Sequence, residues 1–281
     1  MLAGRCTFRI GGSVPLLCSP KNADEIAGLC RAAGELGIPL LVLGKGSNIL
    51  FSDRGCDGAI LHLGQSFSDI SLEGETAVIC QSGASVTQLC RFACEHGLSG
   101  LEFAYGIPGS VGGAVYMNAG AYGGEIKDVI VSASHITPDG AYGSFLRDEL
   151  SLSYRRSIYN SMDYVIIGAK FALTKDDPAL ISARMEGFMN RRREKQPLEY
   201  PSAGSTFKRP EGAYASALVD RCGLKGLRVG GAAVSGKHAG FLINYDNATA
   251  EDMRNLIARV QDEVFRQTGF RLECEIKQIG F

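Results

Sequence analysis

Seven of the twenty residues in the run Gly106-Ile-Pro-Gly-Ser-Val-Gly-Gly-Ala-Val-Tyr-Met-Asn-Ala-Gly-Ala-Tyr-Gly-Gly-Glu125 are glycine. Glycine loses more conformational freedom on folding than any other residue, so this density requires unusual dihedrals or a backbone pressed close to another group. The run is not low-complexity: Ile107, Val111, Val115 and Met117 keep it apolar enough to lie inside a domain. Such a segment suits the wall of a large, flat, partly polar cofactor. A second loop, Gly44-Lys-Gly-Ser-Asn48, sits upstream between two apolar runs. Two glycine-rich loops in one domain predict a dinucleotide gripped along its length.

With 281 residues the chain is long enough for two or three domains, on a prior of roughly 150 residues each. Its 29 basic and 30 acidic residues leave a formal charge of −1, so no basic surface points to nucleic acid or to a membrane. Pro15 and Pro20 interrupt the first segment, which reads as no signal peptide. No apolar run approaches the ~20 residues of a membrane span. The nine cysteines are odd in number and include no CxxC pair. They read as reduced structural thiols of a cytoplasmic protein.

The order of elements narrows the cofactor fold. Val14–Cys18 reads as a strand, and a helix starts at Asn22-Ala-Asp-Glu25, with Ile26, Leu29, Cys30, Ala33 and Leu36 on one face and Gly37 at its end. Pro39–Leu43 is a strand that feeds the Gly44–Asn48 loop, yet the loop runs on into Ile49-Leu-Phe51, another strand. A Rossmann glycine loop opens a helix so that phosphate meets the helix N-terminus. That fold is therefore disfavoured, and phosphate would be held by loop amides acting as a nest. Ser85-Val-Thr-Gln88 is a capping box. Strands follow at Val129–Ile136 and Tyr164–Leu173, a single helix at 180–195, a short helix near Tyr214–Val219 and a long one at Ala250–Thr268. Met253, Leu256, Ile257, Val260 and Val264 form the apolar stripe of the last.

Several residues have two open readings. Ser205, in Ser202-Ala-Gly-Ser-Thr-Phe-Lys208, is either a turn serine or a proton donor. GxSxG and a Ser-His-Asp set are absent, which disfavours a hydrolase. Arg155 and Arg156, flanked by Tyr154 and Tyr159, form a solvated turn or hold an anion bidentately. Glu275, in the alternating run Leu272-Glu-Cys-Glu-Ile-Lys277, would face solvent on a terminal strand or enter a site. Arg191–Lys195 reads as a solvated helix end or a pyrophosphate contact. His238 is structural or site-forming, and no His/Asp/Glu cluster has metal-ligand spacing.

Taken in order, Thr7-Phe-Arg-Ile-Gly-Gly12, Gly44–Phe51, Gly106–Glu125, Tyr154-Arg-Arg-Ser157, Arg193-Glu-Lys-Gln-Pro197, Ala203–Lys208, His238–Asn244 and Glu273-Cys-Glu-Ile276 resemble the UDP-N-acetylenolpyruvoylglucosamine reductase family across residues 7–276. Residues 174–194 leave room for one helix, so the resemblance is to the shorter subtype without the tyrosine loop. It implies an α+β chain: a two-subdomain FAD-binding fold of the vanillyl-alcohol-oxidase type and a C-terminal α+β substrate domain. Residues 1–64, with the tail 270–281, would form FAD subdomain 1; residues 65–174 would form subdomain 2; residues 175–269 would form the linker helix and substrate domain.

The resemblance also implies roles. FAD relays a hydride from NADPH to C3 of UDP-N-acetylglucosamine enolpyruvate. Arg155 and Glu275 match the residues that act on the substrate carboxylate and enolate, and Ser205 matches the serine that protonates C2. FAD contacts match Gly44, Lys45, Gly46, Ser47, Asn48, Ile107, Pro108, Gly109, Ser110, Val111, Gly112, Gly113, Asn118 and Gly120. Substrate contacts match Tyr154, Lys195, Lys208 and His238. The expected partner is that small molecule alone, bound by a monomeric cytoplasmic enzyme without a metal. The competing readings are another FAD oxidoreductase of the same fold, such as a hydroxy-acid or sugar oxidase, and a catalytically silent flavin-binding regulator.

Overall fold

A computed structural model describes residues 1–281, which divide into two units. One comprises Leu16–Lys45 and Gly58–Arg191; the other comprises Met1–Pro15, Gly46–Asp57 and Arg192–Phe281.

In the first unit, Leu16–Cys18, Ala59–His62 and Leu40–Leu43 form a parallel three-stranded sheet with Ala59–His62 in the middle. Helix α1 (Ala23–Glu35) connects the two edge strands, Leu16–Cys18 and Leu40–Leu43, which both pair with the central strand. Asn22 caps α1 by accepting from the Glu25 amide at 2.9 Å, and Gly37 leaves it with φ +62°. Its buried face, Ile26, Ala27 and Cys30, packs with Leu61, Phe67 and Val165. A five-stranded antiparallel sheet runs in the order Tyr142–Leu146, Ile130–Ile136, Val165–Ala172, Ala77–Gln81, Ile70–Glu73. Helix α2 (Val86–Glu95) begins at the expected capping box of Ser85 and Gln88. The larger core of this unit joins Val78, Cys80, Leu89, Val115, Ala169 and Phe171. Each fully buried aliphatic side chain there contributes roughly 1.5–3 kcal/mol of transfer free energy.

Helix α3 (Val111–Tyr116) lies inside the glycine-rich run, where no helical periodicity is visible. Two adjacent glycines oppose a helix. The Ser110 side chain caps it, and its first amides bond to Ala84 and Ser82, so tertiary contacts overrule propensity. Helix α4 (Pro178–Lys195) is the single helix expected there, and it buries Ile181 and Met185 in the larger core. Arg184 on α4 pairs with Glu102 at 2.9 Å.

The second unit is built on a four-stranded sheet ordered Ser202–Ser205, Phe241–Asn244, Ala232–Val234, Arg228–Val229. Helix α5 (Ala215–Arg221) and helix α6 (Ala250–Thr268) complete it. The predicted stripe of α6, from Met253 to Val264, is at most 3% exposed. Thr249 and Asp252 form its capping box, Gly269 ends it at φ +76°, and the Asp53 carboxylate accepts from the Ala250 and Glu251 amides at 2.8–3.2 Å. Lys277–Ile279 pairs in parallel with Ile49–Phe51, so the tail joins residues 46–57.

Two local expectations change. The strand expected around Glu275 begins only at Lys277. Before it, the segment pairs antiparallel with residues 206–208, through Glu275 N to Thr206 O and Lys208 N to Glu273 O; then Lys277 N donates to Asn48 O. Glu275 therefore sits where the chain changes partners. The helix end at Arg191–Lys195 is not uniformly solvated either. Arg192 is 5% exposed, and its Nη1 donates to Gln196 Oε1 at 3.4 Å.

Candidate active site

In the first unit the glycine-rich run is stitched to residues 82–86. Val86 N donates to Gly109 O at 3.0 Å, Val111 N to Ala84 O at 2.8 Å and Gly112 N to Ser82 O at 2.9 Å. A Cβ on Gly112 would stand 2.8 Å from Ser82 Cβ. The Ser110 hydroxyl accepts from Gly113 N at 3.3 Å, and a Cβ on Gly44 would collide with that hydroxyl. Glycine is thus needed at 44 and 112 so that loops close on one another, and Gly44 meets Ser110 directly.

The first amides of α3 are consumed by the protein, so a phosphate would find no free helix terminus. The amides of Lys45, Gly46 and Ser47 donate to no protein acceptor. Gly46 is left-handed at φ +60°, and a Cβ there would collide with the Arg5 carbonyl. Consecutive open amides around a left-handed residue are the makings of an anion nest. Ile107 is half-buried and Pro108 exposed, while Gly109, Ser110 and Val111 are buried.

Arg155 occupies a tight turn closed by Arg156 N to Ser153 O at 3.1 Å and Ser153 N to Arg156 O at 3.0 Å. Its φ is +55°, its guanidinium lies 5.1 Å from the Tyr154 ring centre, and one Nη donates to Gly120 O at 3.3 Å. Tyr154 is exposed and Arg155 half-buried. Behind this turn Asn118 is fully buried. Burial pushes the nearby Glu125 carboxyl up, but Lys127, Asn118 and Arg155 together hold it below the usual carboxylate range.

The second unit carries the remaining residues. Ser205 ends its strand exposed, just after Gly204 at φ +76°, which bends the pairing with Phe241. Next to it Thr206 is fully buried, and its hydroxyl accepts from Leu242 N at 3.2 Å. Because Glu275 N bonds to Thr206 O, Ser205 and half-buried Glu275 lie on adjacent segments. Asn48 Nδ2 donates to Glu275 O at 3.2 Å, tying the first glycine loop to the same place. Lys208 pairs with Glu273, and Lys195 is exposed at the end of α4. His238 Nδ1 accepts from Gly240 N at 3.1 Å. Burial pushes its pKa down, so it is a neutral ring whose Nε2–H is the available donor.

The structure therefore gathers Gly44, Ser110, Asn118, Gly120, Tyr154 and Arg155 in one unit, and Asn48, Ser205, Lys208 and Glu275 in the other. Sequence reasoning missed Ser82–Ser85, the turn whose carbonyls and bridge hold the glycine-rich run. Its signal was the small triplet Ser82-Gly-Ala84 between a strand and a capping box.

Residues 14–143 match the family model described as FAD binding domain, and residues 196–279 match UDP-N-acetylenolpyruvoylglucosamine reductase, C-terminal domain. The UDP-N-acetylenolpyruvoylglucosamine reductase of Syntrophomonas wolfei is 47% identical over 98% of this chain and 91% of its own length. The chain belongs to the UDP-N-acetylenolpyruvoylglucosamine reductase family. The enzyme of the same name from Exiguobacterium sibiricum is 48% identical over 97% of this chain and 89% of its own. The crystal structure of the family member from Thermus caldophilus superposes with a TM-score of 0.86 at 34% identity, covering 99% of this chain and 97% of that one. The chain has the family's two-subdomain FAD-binding fold with its C-terminal domain. Among its own residues, the consecutive open amides of Lys45, Gly46 and Ser47 around left-handed Gly46 have the donor chemistry that a phosphate group of such a cofactor needs.

Proposed function

We infer that this chain reduces UDP-N-acetylglucosamine enolpyruvate to UDP-N-acetylmuramate in peptidoglycan precursor synthesis, with FAD as cofactor and NADPH as reductant. The observation that carries this reading is near-end-to-end relationship to enzymes of that name. FAD, once bound, supplies the hydride relay from NADPH to C3 of the enolpyruvyl group.

The remaining chemistry falls to side chains. Arg155 would hold the substrate carboxylate and stabilise the charge that develops there, as preorganised cations do. Glu275 would act on the enolate, and Ser205 would deliver the proton to C2. An exposed serine at the end of a strand suits that role, because its hydroxyl is not spent on the fold. Lys45, Gly46, Ser47 and the Ile107–Gly113 segment would hold FAD, with Gly44, Asn48, Asn118 and Gly120 shaping that site. Tyr154, Lys195, Lys208 and His238 would contact the UDP substrate. His238, being neutral, would contribute a hydrogen bond rather than charge. The division into 1–64 with 270–281, 65–174 and 175–269 belongs to the same reading.

No helix is long and apolar enough to cross a membrane. We place the enzyme in the cytoplasm as a monomer acting on a small molecule, with neither nucleic acid nor membrane as partner. The test is direct. NADPH should bleach the purified yellow protein, and UDP-N-acetylglucosamine enolpyruvate should restore the colour without oxygen. Bleaching without restoration would indicate another oxidoreductase of this fold, and no bleaching would indicate a silent flavin binder.

A further inference from the structure

The turn that carries Arg155 is strained. Ser153 to Arg156 is a β-turn with Arg155 at its third position in the left-handed region, where glycine is the usual residue. A side chain there costs on the order of 1–2 kcal/mol, and such a conformation persists only where the surroundings impose it. Neither hydrogen bond that closes the turn removes that cost.

Asn118 supplies the imposition. It is 0% exposed, and its amide has no freedom to rotate. Nδ2 gives one proton to the Ser153 carbonyl at 2.9 Å and the other to Glu125 Oε2 at 3.1 Å, while Oδ1 accepts from Lys127 N at 2.9 Å. The Ser153 carbonyl is the one that also closes the turn. Two residues beyond Asn118, the Gly120 carbonyl receives the Arg155 guanidinium at 3.3 Å. One three-residue segment thus grips the turn at its first carbonyl and the arginine at its tip. With both amide protons spent on the protein, the Asn118 side chain has no donor left for a cofactor.

We propose that Asn118 is a positioning residue for the enolpyruvyl carboxylate: its amide clamps the Ser153 carbonyl and holds Arg155 in the one conformation that presents its guanidinium. The proposal rests on the carboxylate-binding role given to Arg155 above. Aspartate at 118 would keep the shape and tolerate φ +40°, but it would set a carboxylate against Glu125 and the Ser153 carbonyl. Glycine at 118 would remove the clamp without backbone strain.

With rates taken per bound FAD, Asn118→Asp and Asn118→Gly should slow bleaching by NADPH less than they slow reoxidation. Their reoxidation by UDP-N-acetylglucosamine enolpyruvate should slow at least ~10-fold, the order expected for one buried hydrogen bond. Trypsin should cut both variants faster after Arg155 and Arg156, in apoprotein and holoprotein alike. In an Arg155→Ala background Asn118→Gly should slow reoxidation no further, because a residue acting through Arg155 has nothing left to position. Equal slowing of both half-reactions, additive slowing in the double variant, or wild-type reoxidation in Asn118→Gly overturns the proposal. Arg155→Ala separates the two readings. If it alone reoxidises normally, the carboxylate role falls and the positioning proposal with it; if it is slow while Asn118→Gly is not, only the positioning proposal falls.

Discussion

Single positions decide whether a hydroxyl or a guanidinium is available for chemistry. Ser205 and Thr206 are adjacent, yet Thr206 is buried and bonded to Leu242 while Ser205 is exposed. Ser205→Ala should therefore fold, bind FAD and be reduced by NADPH normally. Its reoxidation by the enolpyruvyl substrate should slow by ~10² or more, the lower range for losing a general acid. Stopped-flow traces of the two half-reactions check this, and equal effects on both would remove Ser205 from its role. Arg155→Lys keeps charge but loses the planar fork that meets a carboxylate bidentately. It should behave like Arg155→Ala in the same traces; turnover near wild type would leave Arg155 as a surface cation.

At the scale of elements, two contacts that no periodicity reveals hold helices in place. The Asp53 carboxylate caps α6 from nearly two hundred residues away in sequence, accepting from Ala250 and Glu251. Asp53→Ala should destabilise the protein by about 1 kcal/mol, a typical capping loss, because the Thr249 box remains. Thermal melting followed by circular dichroism should show a transition lower by roughly 2–4 °C, and an unchanged melt would refute the cap. Glu102 anchors α4 through Arg184. Burial pushes the Glu102 carboxyl up, but its own amide, the Gly100 amide, the Ser99 hydroxyl and Arg184 outweigh that and hold it below the usual range. A carboxylate lowered in the fold stabilises it above the unfolded value of about 4.3, and that stability is lost as pH falls through the folded value. Glu102→Gln should cost roughly 1–2 kcal/mol at pH 7, discounted because the Arg184 side chain is 41% exposed. The difference from wild type should shrink in urea melts as pH drops below about 4. A gap that stayed constant with pH would show that the charge is not responsible.

For the whole molecule, one cofactor must serve two substrates. Nicotinamide and enolpyruvyl group each need the same reactive edge of FAD, so NADP⁺ should leave before the UDP substrate binds. Initial rates with both substrates varied should give parallel reciprocal plots, with inhibition by excess UDP substrate. Intersecting lines without inhibition would require two separate sites. No covalent flavin attachment is expected, so acid precipitation should leave the yellow colour in the supernatant as FAD. Flavin retained on the pellet would refute this.

What could be read from the sequence is whatever depends on neighbours in the chain. The caps at Asn22 and Ser85, the α6 stripe and the loop running from Gly44 into a strand rather than a helix are local patterns of period, cap and turn. The ordered motifs also sufficed to recognise the family. What needed the fold is whatever joins residues distant in sequence. Helix α3 forms in a glycine-rich run because Ser82 and Ala84 accept its amides. Glu275 stands at a change of strand partners because residues 206–208 and 49–51 meet the same terminal segment. Asn118 reads locally as one more polar residue among glycines. Its buried hold on Ser153 exists only because packing brings residues 118, 125 and 153 together. A buried amide must find its partners wherever the fold supplies them, and no local rule names them in advance.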